Sequence, residues 1–377
     1  MKPSIYDIAK MAGVSTATVS RVLNNTGQIS AGARSAVLKA MRDADYVPRG
    51  SGGVKPKRGF GDLSGKDSRI IELVFCFSHG GELLRIDDRN IEVEEVDELP
   101  PEEFVSNDSS FYRPISEGAI DEARRFGYKT IMHCIRKDSL NDPAFMQSLY
   151  DDNICGLLLA GEQPDGLSEF LRNFKLPVVL VDMMAGNGAV EVTSDNMEGI
   201  SQAFEHLYAL GHRKTGFMLG DESLPAYRER YLSFAYKMAE KGLKTREDWI
   251  YRGSNHVVDS VQWGQKLFRK KDIPTAFLCT NDYCALGLLR AAMNSGIKVP
   301  KDLSIVGFDD IETSNLVTPP LTTVNVPKTE IGRCSARELI VSLKNGKRPL
   351  GSPQCRLRLS PTLVKRESTA AVRKQGA

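Results

Sequence analysis

Short apolar runs alternate with amphipathic stretches from Ile70 to about Lys365. The apolar runs predict seven strands: Ile70–Phe77, Thr130–Cys134, Gly156–Ala160, Val178–Val181, Thr215–Leu219, Ala276–Thr280 and Ser304–Phe308. Helical spacing predicts five helices between them: Pro114–Phe126, Asn196–Leu210, Arg228–Lys241, Val257–Lys270 and Asp282–Asn294. Continuous apolar strands that alternate with helices indicate parallel sheets covered on both faces. The expected fold class is therefore α/β and doubly wound, and the length suits two such lobes.

The first 48 residues carry a different, purely helical pattern. Ser4 with Asp7 forms a capping-box-like start, and Gly13 interrupts the apolar spacing that follows. Ser15 can cap a second helix, Thr16 to Leu23, and a third begins after Ser30. The inward-facing positions are Ile5, Ile8, Ala9, Ala12, Val19, Val22, Leu23, Val37, Ala40, Met41 and Ala44. Two short helices around a glycine turn, with a third beneath, predict a small all-α helix-turn-helix head.

These patterns divide the chain into a head at 1–48, a Gly/Pro-rich linker at 49–68, a two-lobed domain at 69–368 and a tail at 369–377. The linker combines glycine, proline, serine and charge, a composition typical of flexible connections. Within the large domain, an acidic insertion occupies about 80–108.

Charge is unevenly distributed, although the whole chain of 377 residues has a net charge of only +2. Residues 1–60 carry ten Lys or Arg and three Asp or Glu, whereas residues 80–108 carry two Arg and eleven Asp or Glu. A basic head is typical of a nucleic-acid-binding protein, although a solvated basic tail has the same composition. One function open to the acidic insertion is charge pairing with the basic head and linker, which would weaken binding to a nucleic acid.

Other function classes find little support in the sequence. The seven cysteines include no Cys-x-x-Cys pair, which indicates a reducing compartment, and Cys279 and Cys284 have no nearby partner for a metal site. We expect no metal and no cofactor. No signal peptide and no apolar run of membrane-spanning length is visible, so a cytoplasmic protein without a membrane partner is expected. Catalytic motifs are missing, and His206 and His212 are interpreted as structural, so an enzyme is not expected.

The head segment DIAKMAGVSTATVSRVLN, Asp7 to Asn24, resembles the DNA-binding signature of LacI/GalR transcriptional regulators, and the resemblance continues to Pro48. Further matches to the same family are Ser194–Gly220, Phe277–Glu312 and Ser360–Ser368, in its periplasmic-binding-protein-like domain. The resemblance implies a two-lobed domain with a ligand cleft, operator DNA as a partner, and a homodimer that reads two half-sites.

By this resemblance the second helix enters the major groove. Thr16, Ala17 and Arg21 are the base-reading candidates, since Arg21 can pair with a guanine and Ala17 can touch a thymine methyl group. Contacts to phosphates are expected from Ser15, Thr18, Ser20 and Asn24, with a further backbone contact from Tyr6. Ser15 could instead act purely as a helix cap, and Thr18 could be a packing residue.

For the effector site, the resemblance singles out Arg230, in RYLSF, and Asp282, at the end of an Asn-Asp pair. Arginine donors and a carboxylate acceptor suit a sugar-like polyol or a nucleobase. The alternatives are a surface ion pair for Arg230 and a helix cap for Asp282. Phe111 and Tyr112 could stack on a ligand or simply pack. Asp182, which ends the strand VVLVD, is a further candidate.

Three departures from the family pattern stand out. Glycines and Pro56 follow Pro48, where the family forms a hinge helix, and Lys55 occupies the position of its leucine wedge. The acidic insertion could be a hairpin, because Leu84, Ile86, Ile91 and Val93 alternate, or a solvated disordered loop. The tail has no leucine heptads, so a dimer is expected rather than a tetramer.

The sequence thus predicts a sequence-specific transcriptional regulator, a repressor by family expectation, controlled by a small molecule bound between two lobes. One alternative is a constitutive DNA-binding protein whose effector domain only dimerises. Another is a secreted sugar-binding protein, against which the missing signal peptide and the intact head argue.

Overall fold

The computed structural model describes residues 4–23, 33, 36–37, 40–41, 44, 68–77, 82–87, 90–95, 109–185, 189–346 and 355–372. The chain forms two compact units, Met1–Leu63 and Ser64–Ala377. Asn24 and residues 49–67, including Lys55, lie outside the described residues, as do residues 96–108 of the acidic insertion.

The head begins with two short helices, α1 (Ile5–Ala12) and α2 (Thr16–Leu23). The Asp7 carboxylate accepts hydrogen bonds from the Ser4 backbone N–H at 2.7 Å and from the Ser4 hydroxyl at 2.6 Å. Gly13 ends α1 with a φ of 65°, a left-handed conformation that glycine adopts without strain. Ser15 Oγ then accepts from the Thr18 backbone N–H at 3.1 Å and caps α2. The predicted signals therefore lie where the helices begin and end: Ser4 and Asp7 at the start of α1, Gly13 at its end and Ser15 at the start of α2.

A small apolar core holds the head together. Residues 33, 36–37 and 40–41 are helical, and Val37, Ala40 and Met41 among them pack in the same core as α1 and α2. The buried side chains of this core are Ile8, Ala9, Val19, Val22, Val37 and Ala40. Because they recur at helical spacing, their burial leaves the polar face of each helix outside.

The large unit contains two six-stranded sheets and a separate hairpin. Its strands are β1 (Ile70–Phe77), β2 (Glu82–Asp87), β3 (Asn90–Glu95), β4 (Lys129–Arg136), β5 (Gly156–Gly161), β6 (Val178–Val181), β7 (Val190–Ser194), β8 (Thr215–Gly220), β9 (Ile250–Arg252), β10 (Ala276–Cys279), β11 (Ser304–Asp309), β12 (Thr322–Asn325), β13 (Cys355–Leu359) and β14 (Thr362–Val364). Its helices are α3 (Ser109–Arg125), α4 (Pro143–Asp151), α5 (Leu167–Asn173), α6 (Asn196–Ala209), α7 (Pro225–Glu240), α8 (Val257–Leu267), α9 (Asp282–Asn294), α10 (Thr313–Leu316) and α11 (Lys328–Asn345).

Each sheet defines one lobe. The first lobe has strand order β13-β7-β6-β5-β1-β4, and every pairing is parallel. The second has order β14-β12-β11-β10-β8-β9, parallel except for β14 against β12. Six of the twelve strands, β5, β6, β7, β8, β10 and β11, are buried along their whole length, as expected of sheets covered by helices on both faces. The predicted two-lobed α/β fold is confirmed.

The chain passes between the lobes three times. It leaves the first sheet after β7, returns after β12, and crosses again between β13 and β14. The sequence analysis did not predict β7, β9, β12, β13 or β14, which are three to five residues long and include the connecting strands. Short runs such as Thr322–Asn325 lack the apolar length that identified the central strands.

Helices α3 and α11 cross closely over the first sheet. A Cβ atom at Gly118 would lie 2.1 Å from the Thr329 carbonyl oxygen, and one at Gly332 would lie 1.9 Å from that of Ile115. Only glycine permits this backbone approach. The crossing places the first turns of both helices, with Phe111 and Lys328, near one another.

The acidic insertion contains the antiparallel hairpin β2–β3, whose register pairs Leu84 with Val93 and Ile86 with Ile91. Of the two alternatives left open for this segment, the hairpin applies to residues 82–87 and 90–95, which pair as antiparallel strands. At the other end of the chain, hydrogen bonds to the second lobe continue past Ser368. Val372 donates its N–H to the Leu210 carbonyl at 2.9 Å, and His212 Nε2 lies 3.0 Å from the Ala370 carbonyl oxygen.

Candidate functional site

Helix α2 separates a buried face from an exposed one. Val19 and Val22 are buried in the head core, whereas Ser15, Ala17 and Arg21 are exposed. The predicted base-reading pair Ala17 and Arg21 is four residues apart and therefore lies on one side of the helix. The major groove of B-DNA is about 12 Å wide and admits an α-helix, so an exposed arginine on α2 is suitably placed to contact bases there.

The remaining head candidates surround this surface. Thr16, Thr18 and Ser20 are half-buried, and the side chain of Tyr6 on α1 is 73% exposed. The Ser15 and Thr18 hydroxyl oxygens lie 2.9 Å apart, so each hydroxyl already has a hydrogen-bond partner within the head. Ser15 is therefore a helix cap, and a phosphate contact would be an additional role.

In the second lobe, Arg230 on α7 is 2% exposed. Its Nε donates to Asn196 Oδ1 at 2.8 Å, and its Nη1 donates to the Thr280 carbonyl and to Asp309 Oδ1 at 3.4 Å. The guanidinium also lies over the Phe308 ring, 3.8 Å from its centroid. The alternative of a surface ion pair is wrong, because Arg230 is buried among groups from three other segments.

Asp282 is fully buried and links three parts of the second lobe. Its carboxylate accepts from Thr323 Oγ1 at 2.6 Å, Ser314 Oγ at 2.7 Å and the Ile311 N–H at 2.9 Å. Burial, followed by the charge of Asp309, raises the pKa of Asp282 to about 7. The helix cap is its neighbour Asn281, whose Oδ1 accepts from the Cys284 N–H at 2.8 Å.

The first lobe contributes Asp182, which follows β6 with a φ of 53°. Burial raises the pKa of Asp182 to about 6, and the positive charge of Arg230 opposes this rise. Asp182 follows a strand of the first sheet and Arg230 lies on a helix of the second lobe, so this electrostatic influence acts between the two lobes. Asp182 and Arg230 are the two predicted effector residues that it links.

Asp309 and Lys328 belong to the same charged group and were missed by the sequence analysis. Burial raises the pKa of Asp309 to about 7, while Arg230 and Lys328 oppose the rise. Lys328 donates from Nζ to the carbonyl oxygens of Asp309 and Asp310, at 3.1 Å to the latter. Asp309 ends an apolar strand as Asp182 does, so the same signal could have identified it. Nothing in the local sequence marks Lys328.

Phe111 and Tyr112 lie in an aromatic cluster at the start of α3. Tyr112 packs edge-on against Phe75 and Phe77, with centroid separations of 5.5 and 5.7 Å, and against Phe111 at 5.0 Å. These contacts give Tyr112 the packing role that was left open for it. Phe111 lies towards the charged group, since its ring centroid is 6.0 Å from Lys328 Nζ.

An ion pair connects the two lobes beside this group. Arg358 on β13 donates to Glu229 Oε1 on α7 at 2.7 Å. The other oxygen of Glu229 accepts from Asn196 Nδ2 at 2.9 Å, and Asn196 also accepts from Arg230. A continuous chain of hydrogen bonds thus runs from the first lobe to Arg230.

Unpaired polar atoms lie near the carboxyl ends of three strands. Gln163 Oε1, Ser194 Oγ and Thr280 Oγ1 are buried without a hydrogen-bond partner among the described residues. They follow or end β5, β7 and β10, at the edge where open α/β sheets bind ligands. Buried polar atoms normally find partners, so unpaired ones at this edge indicate a place that a polar ligand could satisfy.

Comparison with known proteins gives the same assignment for both units. Residues 4–49 match the family model "Bacterial regulatory proteins, lacI family", and residues 204–369 match that of a periplasmic binding protein-like domain. None of the helices in the described part of the chain is long and apolar enough to cross a membrane.

Relatives and solved structures cover almost the whole chain. The HTH-type transcriptional regulator DegA of Bacillus subtilis (strain 168) is 30% identical over 376 residues, which is 98% of this chain and 99% of DegA. The HTH-type transcriptional repressor PurR of Mannheimia succiniciproducens is 26% identical over 374 residues, with the same coverage. The transcriptional regulator CelR–cellobiose complex superposes with a TM-score of 0.66 at 24% identity, covering 97% of this chain and 99% of CelR. The lac repressor dimer bound to operator and the anti-inducer ONPF superposes with a TM-score of 0.64 at 24% identity. This match covers 98% of this chain and 100% of the lac repressor chain.

With a helix-turn-helix head, a two-lobed sensor fold and a full-length relative at 30% identity, this chain belongs to the lacI family of DNA-binding transcriptional regulators.

Proposed function

We propose that this protein is a transcriptional repressor whose binding to operator DNA is controlled by a sugar-like effector held between its two lobes. The observation that carries the proposal is a charged group from both lobes, in which Arg230, Asp309 and Lys328 are buried and Asp182 is half-buried. Burying charges is costly unless they are paired or used for binding. A group of this kind at the carboxyl edge of two sheets suits ligand binding better than stability.

The chemistry of the group favours a neutral, hydroxyl-rich ligand. Asp182 and Asp309 are acceptors for hydroxyl groups, and the Arg230 guanidinium is a rigid donor. Phe111 provides an apolar ring face of the kind that packs on a sugar ring. An anionic effector is disfavoured, because two carboxylates already balance the two cations Arg230 and Lys328 and leave no excess positive charge. The CelR relative binds cellobiose in its solved complex, which agrees with this class, and a nucleobase remains the second candidate.

On the DNA side, α2 is proposed to read bases with Thr16, Ala17 and Arg21. Ser15, Thr18, Ser20, Asn24 and Tyr6 are proposed to bind the phosphate backbone. Two half-sites require two heads, so a homodimer is proposed as the active form. Base contacts set the specificity of binding, whereas the phosphate contacts set its strength and salt dependence.

Effector control is proposed to act through the approach of the two lobes. A ligand that binds Asp182 and Arg230 at the same time stabilises the state in which the two lobes are close together over the state in which they are further apart. Only this difference in affinity can shift the equilibrium between the two states. Asp282 is proposed as a supporting residue rather than a direct contact, since its carboxylate already accepts three hydrogen bonds.

The test is the thermal midpoint of the purified full-length protein against a panel of sugars, sugar phosphates and nucleobases. A binding ligand at 100 times its Kd adds about 2.7 kcal/mol to the free energy of unfolding. Arg230→Lys keeps the charge but loses the donor fork, so the midpoint rise should disappear. Arg228→Lys, an exposed position on the same helix, should preserve the rise.

A rise that is equal in the parent and in Arg230→Lys would reject Arg230 as an effector contact. No rise with any compound would favour the second candidate, a constitutive DNA-binding protein whose lobes only dimerise. One observation fits that candidate: Arg230 is already satisfied by Asn196, Asp309 and the Thr280 carbonyl. Both the effector-controlled repressor and the constitutive DNA-binding protein should bind operator DNA. Operator binding by the same sample therefore distinguishes these two from a protein that does not bind DNA.

A further inference from the structure

A second polar cluster lies in the first lobe. Glu72 on β1, His133 on β4 and Asp152 after α4 each point one ligand atom into the same space, and these three atoms all lie within 4.8 Å of one another. Glu72 precedes the carboxyl end of β1 by five residues, so the cluster lies towards the opposite edge of the sheet from the effector group.

Glu72 is the unusual member of the cluster. Its side chain is completely buried, its Oε1 contacts His133 Nδ1, and its Oε2 has no hydrogen-bond partner among the described residues. Burial raises the pKa of Glu72, as does the nearby charge of Asp152. An ordinary strand position in a buried parallel sheet would carry an apolar side chain, so the carboxylate needs a partner that the chain supplies only in part.

The backbone around the cluster holds the three ligands in place. The registered pairs Glu72 with Ile131 and Val74 with His133 put Glu72 and His133 on the same face of neighbouring strands. The Ser68 hydroxyl contacts the Asn153 carbonyl, and the Cys155 N–H donates to the Ile70 carbonyl at 2.8 Å. These contacts fasten the loop after α4 to the start of β1 and place Asp152 beside Glu72.

We infer that Glu72, His133 and Asp152 form a binding site for a divalent transition-metal ion, with Zn²⁺ as the representative. One imidazole nitrogen and two carboxylate oxygens are ligands that zinc accepts, and three protein ligands leave a fourth position for water. The cation neutralises two carboxylates that otherwise repel one another and satisfies the unpaired Oε2 of Glu72. The His133 side chain is 41% exposed, so the ion can enter from solvent.

The sequence analysis predicted no metal and did not identify this site. Its ligands are separated by 61 residues between Glu72 and His133 and come from three different elements. Only the pairing of β1 with β4 and the packing of the loop after α4 bring them together.

The experiment titrates ZnCl₂ into the full-length, chelator-treated protein and measures bound zinc per chain and the thermal midpoint. The parent should bind one ion per chain at this site and show a midpoint rise. Asp152→Asn and His133→Ala should each weaken binding at least about ten-fold, as losses around zinc sites typically do. Glu72→Gln should raise the midpoint of the metal-free protein, because it removes a buried carboxylate, and should abolish the rise with zinc.

Two controls separate this site from other zinc-binding groups. His256→Ala removes an exposed histidine on the second lobe and should leave binding unchanged. Co²⁺ as a substitute should give a spectrum without thiolate charge-transfer bands, because none of the three ligands is one of the seven free cysteines. No zinc uptake by the parent, equal uptake by the three ligand variants, or a thiolate spectrum would each overturn the inference.

Discussion

The DNA-reading helix and the effector group are built in opposite ways. The candidates on α2 are exposed or half-buried, adjacent in sequence, and supported by a core that they do not belong to. In the effector group, Arg230, Asp309 and Lys328 are buried and Asp182 is half-buried; the group comes from both lobes and consists of charges that hold one another in place. Exposed base-reading residues such as Arg21 can therefore change without affecting the fold, whereas each change in the effector group alters binding and stability together.

The largest effect that tests this contrast is expected from Arg230→Ala. It leaves Asp309 and Asn196 buried without their partner, and the loss of one member of a buried pair costs about 3–5 kcal/mol in the free energy of unfolding. Chemical denaturation of the full-length protein measures it. Arg228→Ala, on the exposed face of α7, is the matched control and should stay within about 0.5 kcal/mol of the parent. Equal losses for both variants would remove the distinction between the two sites.

The next effect is expected from Arg21→Ala on α2. It should cost about 1–3 kcal/mol of specific binding and relax the preference at one base pair, because a bidentate contact to guanine is lost. Binding to an operator selected from a random DNA pool is compared with binding to unrelated DNA. The free energy of unfolding should not change, since Arg21 is exposed.

Lys10→Ala is the control for Arg21→Ala, because Lys10 is exposed on α1 and is not a base-reading candidate. It should leave the ratio of specific to non-specific affinity unchanged. If Arg21→Ala also preserves this ratio, Arg21 binds phosphate rather than a base.

The smallest effect is expected from Ser15→Ala, which removes the acceptor for the Thr18 N–H. The loss of an N-cap costs about 1 kcal/mol, and hydrogen exchange of the α2 amides should increase accordingly. Ser15→Asp restores the cap, so exchange should return to the parent level, while its charge should weaken DNA binding by repelling phosphate. Unchanged DNA affinity in Ser15→Asp would show that Ser15 is a cap alone.

The two regions also differ in how far they could be predicted. In the head, Ser4, Asp7, Gly13 and Ser15 act within three or four residues of their own positions, and each occupies the place that its local pattern indicates. In the large domain, the apolar runs predicted the central strands but not the short ones that connect the lobes. Arg230 and Asp182 were identified by resemblance and by strand ends, yet the surface ion pair considered for Arg230 was wrong.

By itself, the sequence determined what depends on short-range order: helix starts and stops, buried central strands, the α/β class and the exposed face of α2. Helical and strand periodicity encode these features locally, so no contact between distant residues is needed. The tertiary structure alone decided which charges meet. Lys328 beside Asp309, Arg358 beside Glu229, and Glu72 beside His133 are each brought together by strand order and lobe crossing. Such pairs have no periodic signature, because their separation along the chain is set by the lengths of the segments between them.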